Sequence, residues 1–365
     1  MKGMLLRPVA ALLLATALAG CSLQSTPKSK PSPTSPAHSQ AADLRTHLDL
    51  LLGEQVIIVA KQAAAAANHS DAYTAYTSLL AVNSADLTSI FTGAYGNTTG
   101  VQFAQVWNSQ NTFLVDYTIG VVTHNDNKAK GALAGLNQQF VVQFGSFLEK
   151  SIHLPLAPVT QLITDQIGED KAFIDDAGVA NYTAFYPDLH RAYAQASPVG
   201  DVLADKIATS FADKFPGDAT KPEVTARVSL NLALQEHSYL ATMSTDAAVN
   251  GRASDRTAAL RALSANNDAV RAIVQDPRFA LAWSQEIGSL QTYALKADAQ
   301  SRTAISGTAV AQLVAATGAP SAIIAVHENA SLMVIDDQRS KAPSVANDDR
   351  TAATSMQPIA DLVER

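Results

Sequence analysis

The sequence predicts an all-α protein of two tandem, similar antiparallel helical bundles, about six helices in each. Three observations carry that prediction. Apolar residues beyond position 41 recur at three- and four-residue steps, as in Leu44, Leu48, Leu51, Leu52, Ile58 and Val59. Aromatic content is low at 6%, and the period-two alternation of half-buried strands is thin. Marked residues of the first half also recur, in the same order, in the second.

At the N-terminus, Lys2 and Arg7 precede an uncharged, Ala- and Leu-rich run over residues 8–20. That run fits the core of an export signal and falls short of the roughly 20 apolar residues of a spanning helix. It ends in Leu18-Ala19-Gly20-Cys21, which resembles the lipobox of bacterial lipoproteins. There the cysteine thiol takes a diacylglycerol, and Cys21 is the only cysteine in the chain. Residues 1–20 are thus expected to be a signal peptide and Cys21 a lipid anchor. The alternative is an ordinary signal followed by a chance cysteine. Residues 21–41, rich in Ser, Pro and Thr, read as a flexible tether. Localisation follows as the extracytoplasmic face of the cell envelope. Ser22, not Asp, follows the cysteine, which favours the outer membrane if the host has two. No later apolar run is expected to be long enough to cross a membrane.

The rest divides into bundle 1 over residues 42–216 and bundle 2 over residues 222–365. Breaks at His69-Ser70, Gly96-Asn97, Asn125-Asp126, Leu154-Pro155, Ala177-Gly178 and Pro216-Gly217 predict helices at 44–67, 71–95, 99–124, 127–150, 156–177 and 180–213. Ser70, Asp71 and Asp126 are the expected N-caps. Six more helices follow Pro222, the last near 345–363. The net charge of −7, with scattered Lys and Arg, argues against a nucleic-acid surface. With one cysteine, no disulfide holds the fold.

The halves match residue by residue. Leu52-Gly53-Glu54-Gln55 aligns with Leu234-Gln235-Glu236-His237 at an offset of 182, and Asn83 with Asn266 at 183. Trp107 and Tyr117 align with Trp283 and Tyr293 at 176, and Ile174-Asp175-Asp176 with Ile335-Asp336-Asp337 at 161. Duplication with loop deletions accounts for the falling offset; chance matching among Ala-rich helices is the plainer account.

Residues 44–217 also resemble a helical repeat of exported bacterial proteins that are often labelled as associated with a copper amine oxidase-like domain. The likeness rests on Leu51-Leu52-Gly53-Glu54, Asn83-(x)3-Leu87, Phe103-(x)3-Trp107, Asp116-Tyr117-Thr118, Arg191-Ala192-Tyr193, Gly200-Asp201-Val202-Leu203-Ala204 and Phe211-Ala212-Asp213-Lys214-Phe215-Pro216. The resemblance implies antiparallel helices and no particular activity. Where that repeat tends to carry histidine, this chain has Gln55, Gln110, Gln166 and Gln195.

In the second half, His237 and His327 stand opposite Gln55 and Gln166, and Glu286 stands opposite Gln110. Histidine and carboxylate on facing helices suit zinc, copper or iron, so His237, Glu286 and His327 form a candidate metal set. The plain alternative is hydrogen-bonded histidines at helix edges. Trp107, Tyr117, Trp283 and Tyr293 are candidates for a ligand pocket, with core packing as the bland reading. Gly-x-Ser-x-Gly and His-Glu-x-x-His motifs are absent. Of the other histidines, His47, His69, His124, His153 and His190 fall mostly at expected helix ends or breaks. The leading expectation is a non-enzymatic binding or scaffold lipoprotein, with an envelope protein or small ligand as partner. A metal-binding lipoprotein with its site in the second bundle is the alternative, and an enzyme comes third.

Overall fold

The computed structural model describes residues 35–363, so the expected signal segment, Cys21 and most of the expected tether lie outside the described residues. The described residues are helical, without strands. The fold begins earlier than the tether prediction allowed. Pro36–His38 form a short 3-10 turn, and Ser39 caps helix α1 (Gln40–Ala67) by accepting the Ala42 amide at 3.2 Å.

Then follow α2 (Ala72–Tyr95), α3 (Asn97–Val122), α4 (Asp126–Gly135), a π-helical turn (Leu136–Phe140), α5 (Val141–Ser151), α6 (Leu156–Gly178) and α7 (Tyr182–Ser210). The six expected helices are thus present, the fourth interrupted by the π-turn. Asn125, and not Asp126, caps α4 by accepting the Lys128 amide. The carboxylate of Asp126, 3.5 Å from Lys130 Nζ, sits one residue inside, where it meets the positive end of the helix dipole.

After Pro222 come α8 (Pro222–Val249), α9 (Ala253–Val274), α10 (Pro277–Lys296), α11 (Ala299–Thr303), a second π-turn (Ala304–Ala309), α12 (Val310–Thr317), α13 (Ser321–Ser340), α14 (Val345–Thr354) and α15 (Met356–Val363). The π-turns occupy like positions, each after the third long helix of its half. Both distort a helix that must carry core residues on each side, namely Leu136 and Phe140 in one and Ile305 and Ala309 in the other.

α1 and α8 lie at the centre and pack on each other. Helices α2, α3, α6 and α7 surround α1, while α9, α10, α13, α14 and α15 surround α8. Both central helices are buried on nearly every face, so they lack the one-sided stripe of a surface helix. This corrects the reading of apolar runs, because α1 is long and apolar enough to cross a membrane by length and composition. It serves as a core helix, with 83% of its most apolar window buried. It also carries buried Arg45, Asp49, Glu54 and Lys61, each of which has a polar partner.

Small residues permit close approach. A Cβ on Gly53 would come within 2.7 Å of the Tyr193 ring, and one on Gly200 within 1.8 Å of the Asp49 carboxylate, both where α1 meets α7. Large rings fill the wider gap near α3, where Phe103 stacks on Phe91 at 4.1 Å and on Trp107 at 5.2 Å.

Polar ties repeat across the centre. Asn83 Nδ2 donates to Leu51 O at 2.9 Å and to Glu54 Oε2 at 2.8 Å; Asn266 Nδ2 donates to Ala233 O and Glu236 Oε2, both at 3.0 Å. Each glutamate then reaches the opposite half, Glu54 to Arg350 on α14 and Glu236 to His190 on α7. His190 therefore sits inside α7, and His47 inside α1, and neither marks a helix end. His69, His124 and His153 do follow helix ends, with φ of 51°, 53° and 56°.

Candidate functional site

Three helices bring the predicted metal set together. His237 sits on α8, Glu286 on α10 and His327 on α13, and each is at most 1% exposed. Glu328, beside His327, is also fully buried. Trp283 on α10 lies between the two imidazoles, with ring centroids 5.3 Å from His237 and 5.8 Å from His327, both edge-on.

Neighbours orient each histidine through Nδ1. His237 Nδ1 faces Asn266 Oδ1 at 3.2 Å; His327 Nδ1 faces Ala352 O at 3.1 Å and Ser355 Oγ at 3.0 Å. With Nδ1 held as donor toward those oxygens, Nε2 is left as the basic nitrogen. His237 Nε2 lies 3.8 Å from Glu286 Oε2, beyond hydrogen-bond length. His237 Nε2, both Glu286 oxygens and both Glu328 oxygens are buried and without a hydrogen-bond partner.

Burial sets the protonation. It pushes both imidazoles down to about 4, so they are neutral at pH 7, the form that ligates metals. It also pushes the Glu286 carboxyl up to about 8. Glu328 is held well above the carboxylate range, first by burial and then by the charge of Glu286. Each unpartnered buried acid costs about 1–3 kcal/mol, so two of them beside an unpartnered imidazole nitrogen need an explanation. Two ligands of one tetrahedral zinc stand about 3.3 Å apart, close to the His237–Glu286 separation. Among the described residues, though, no three His, Cys, Asp or Glu side chains are gathered tightly enough to hold an ion as they stand.

The place where the aligned Gln55, Gln110 and Gln166 meet is chemically different. Gln55, Gln110, Gln166 and Trp107 line one cavity of about 20 Å³, room for a water. Amides bond there: Gln55 Nε2 to Asn111 Oδ1 at 2.9 Å, and Gln166 Nε2 to Asp170 Oδ1 at 2.8 Å. Gln195 lies on α7. Asp170, which the sequence did not single out, has its carboxyl raised to about 7 by burial.

Of the aromatic candidates, Trp107 lines that cavity and Trp283 packs against the histidines, so both are core residues. Tyr117 and Tyr293 serve as donors, to Asp175 Oδ1 at 2.7 Å and Asp336 Oδ1 at 2.6 Å. Asp175 and Asp336 are thus half-exposed acceptors.

No family model matches the chain. Neither a curated protein nor a solved structure is significantly similar to it.

Proposed function

We propose that the chain is an envelope-anchored, non-enzymatic binding lipoprotein whose C-terminal half holds one divalent transition-metal ion between His237, Glu286, His327 and Glu328. One observation carries the reading: two carboxylates and an imidazole nitrogen are fully buried without partners in one place. Mixed imidazole and carboxylate donors from three facing helices are the donor set of bundle metal sites, suited to zinc, iron or copper. An ion there draws the protons off both acids and supplies the partner each oxygen lacks.

The same reading takes the fold as two copies of one helical repeat facing each other across α1 and α8. Equivalent hydrogen bonds at Asn83 and Asn266, the two π-turns and the Tyr–Asp pairs support it. In the first copy, amides replace the ligands, with Gln55 bonding Gln110 and Asn111 and Gln166 bonding Asp170. The anchor is Cys21, on the strength of its lipobox-like setting. Two or more acyl chains bind a membrane stably.

Metal content of the full chain purified in detergent tests the proposal. About one equivalent of metal is expected, with loss of it in His237→Ala/His327→Ala. At about 100 times the Kd, added metal should stabilise the fold by about 2.7 kcal/mol. Absence of metal, with a melting temperature indifferent to zinc, copper and iron, would falsify the site. Mass spectrometry of the mature protein separately tests acylation of Cys21.

A further inference from the structure

A second place in the molecule has the make-up of a ligand site, and it is remote in kind from the metal cluster. The C-terminal ends of α1, α8 and α13 meet the N-terminal ends of α2, α7, α9 and α14 around a cleft of about 280 Å³. That is about nine times the roughly 30 Å³ share of a water molecule, so it accommodates a small organic compound.

Its lining combines aromatic rings and carboxylates. Tyr76, Tyr182 and Tyr186 contribute the rings. Asp71, Asp246, Asp255 and Asp337 outnumber the lining cations Lys61, Arg252 and Lys341. Those cations already have acidic partners. Arg252 bonds Asp246 at 2.5 Å and Asp255 at 3.0 Å, Lys341 stands 3.7 Å from Asp71, and Lys61 bonds Asp349, which lies behind the wall, at 2.5 Å. Asp246 also accepts from Asn250, Asp255 from Tyr186 and Asp337 from Ser344, so what remains is the excess of four lining acids over three cations and the lone-pair sites those bonds leave open. Asp348, next to that wall, has its carboxyl raised to about 6 by burial and by Asp337 beside it, as crowded acids do.

The protein itself shows how an ammonium is held here. Lys61 Nζ sits 5.6 Å from the Tyr76 ring centroid and 5.4 Å from that of Tyr239, with Asp349 and Thr242 as its acceptors. Ring faces with a carboxylate are the usual recognition of organic cations. We propose that this cleft binds a small organic cation, an alkylammonium or guanidinium compound, between its tyrosines and the Asp246, Asp255 and Asp337 carboxylates. A neutral polyol has no use for the surplus charge, and an anion meets repulsion.

Calorimetry on the full chain in detergent, with EDTA present so that the metal question does not enter, tests this. The probes are 1,4-diaminobutane at pH 7 and its neutral isostere butane-1,4-diol. The diamine should bind at one saturable site, weaken severalfold as ionic strength rises from about 0.01 M to about 0.15 M, and weaken roughly tenfold in Asp246→Asn/Asp337→Asn. The diol should bind far more weakly. The inference is overturned if the diamine shows no saturable binding, or if the diol binds as well. It also fails if the double variant, melting like the parent, binds the diamine undiminished. Should that variant not fold, the salt dependence and the diol comparison on the unaltered chain decide alone.

Discussion

Arg45 and Arg227, 182 positions apart, make the same bonds in mirrored directions. Arg45 Nη1 donates to Ala219 O at 2.8 Å and its Nε to Asp201. Arg227 Nη1 donates to Ala37 O at 2.9 Å and its Nε to Asp361 Oδ1 at 2.8 Å. Each guanidinium therefore ties the start of its own central helix to the segment that precedes the other.

Removing either guanidinium strands a buried carbonyl and leaves partly exposed carboxylates short of a donor. Arg227 is 3% exposed, and its loss leaves Ala37 O, Asp43 and Asp361 short of a donor. Arg227→Ala and Arg45→Ala should each cost about 3 kcal/mol, read from urea unfolding midpoints. Lysine at either place should recover only part, because it lacks the forked donors.

Glu54 is buried and accepts from Asn83, Tyr239 and Arg350. Arg350 is 20% exposed, which moderates its worth through solvent screening. Arg350→Ala should still destabilise by about 2 kcal/mol, since the carboxylate stays buried. Glu54→Gln should be cheaper in the Arg350→Ala background than in the parent, and additive costs in a double-mutant cycle would contradict the coupling.

Asp170 gives a pH signature with a definite sign. Its folded carboxyl titrates near 7, above the ordinary unfolded value of about 3.9. The folded chain therefore holds a proton that the unfolded chain has released between about pH 4 and pH 7. Through this group, stability falls as pH rises across that window and levels off above it. Asp170→Asn should flatten that fall and stabilise the protein above pH 7 by up to about 4 kcal/mol. Melting curves at stepped pH on both proteins would show it, and an unchanged slope in the variant would remove Asp170 as the cause.

The amide set of the first half invites reconstruction. Gln55→His, Gln110→Glu and Gln166→His together reproduce the donor types of His237, Glu286 and His327. If the halves are equivalent down to ligand geometry, metal content should rise from about one toward about two equivalents. A rise only in the parent site's occupancy would limit the equivalence to the backbone.

Helix content and the first-half boundaries were legible in the chain because periodicity and breaks are local, whereas the last helix expected near 345–363 is two, Val345–Thr354 and Met356–Val363. The Ala-rich stripes, Pro155, Gly178 and Pro222 mark helix limits wherever the helices end up. That Trp107 meets Gln55 and Trp283 meets His237 came only from the fold, because matched spacings say nothing of which helices become neighbours. Charge placement misled where burial depends on distant partners. α1 carries enough apolar residues to cross a membrane, and only the surrounding helices make it a core helix with paired Arg45 and Lys61. The pairings Glu54–Arg350 and Glu236–His190 span the two halves and leave no periodic trace. The tyrosine-lined cleft is assembled from seven helix ends scattered through the chain. Sequence determined which segments coil and which faces are apolar, because those follow from neighbours three and four residues away. Tertiary structure alone decided which polar groups are buried together, because desolvation and pairing depend on what arrives from the other half of the molecule.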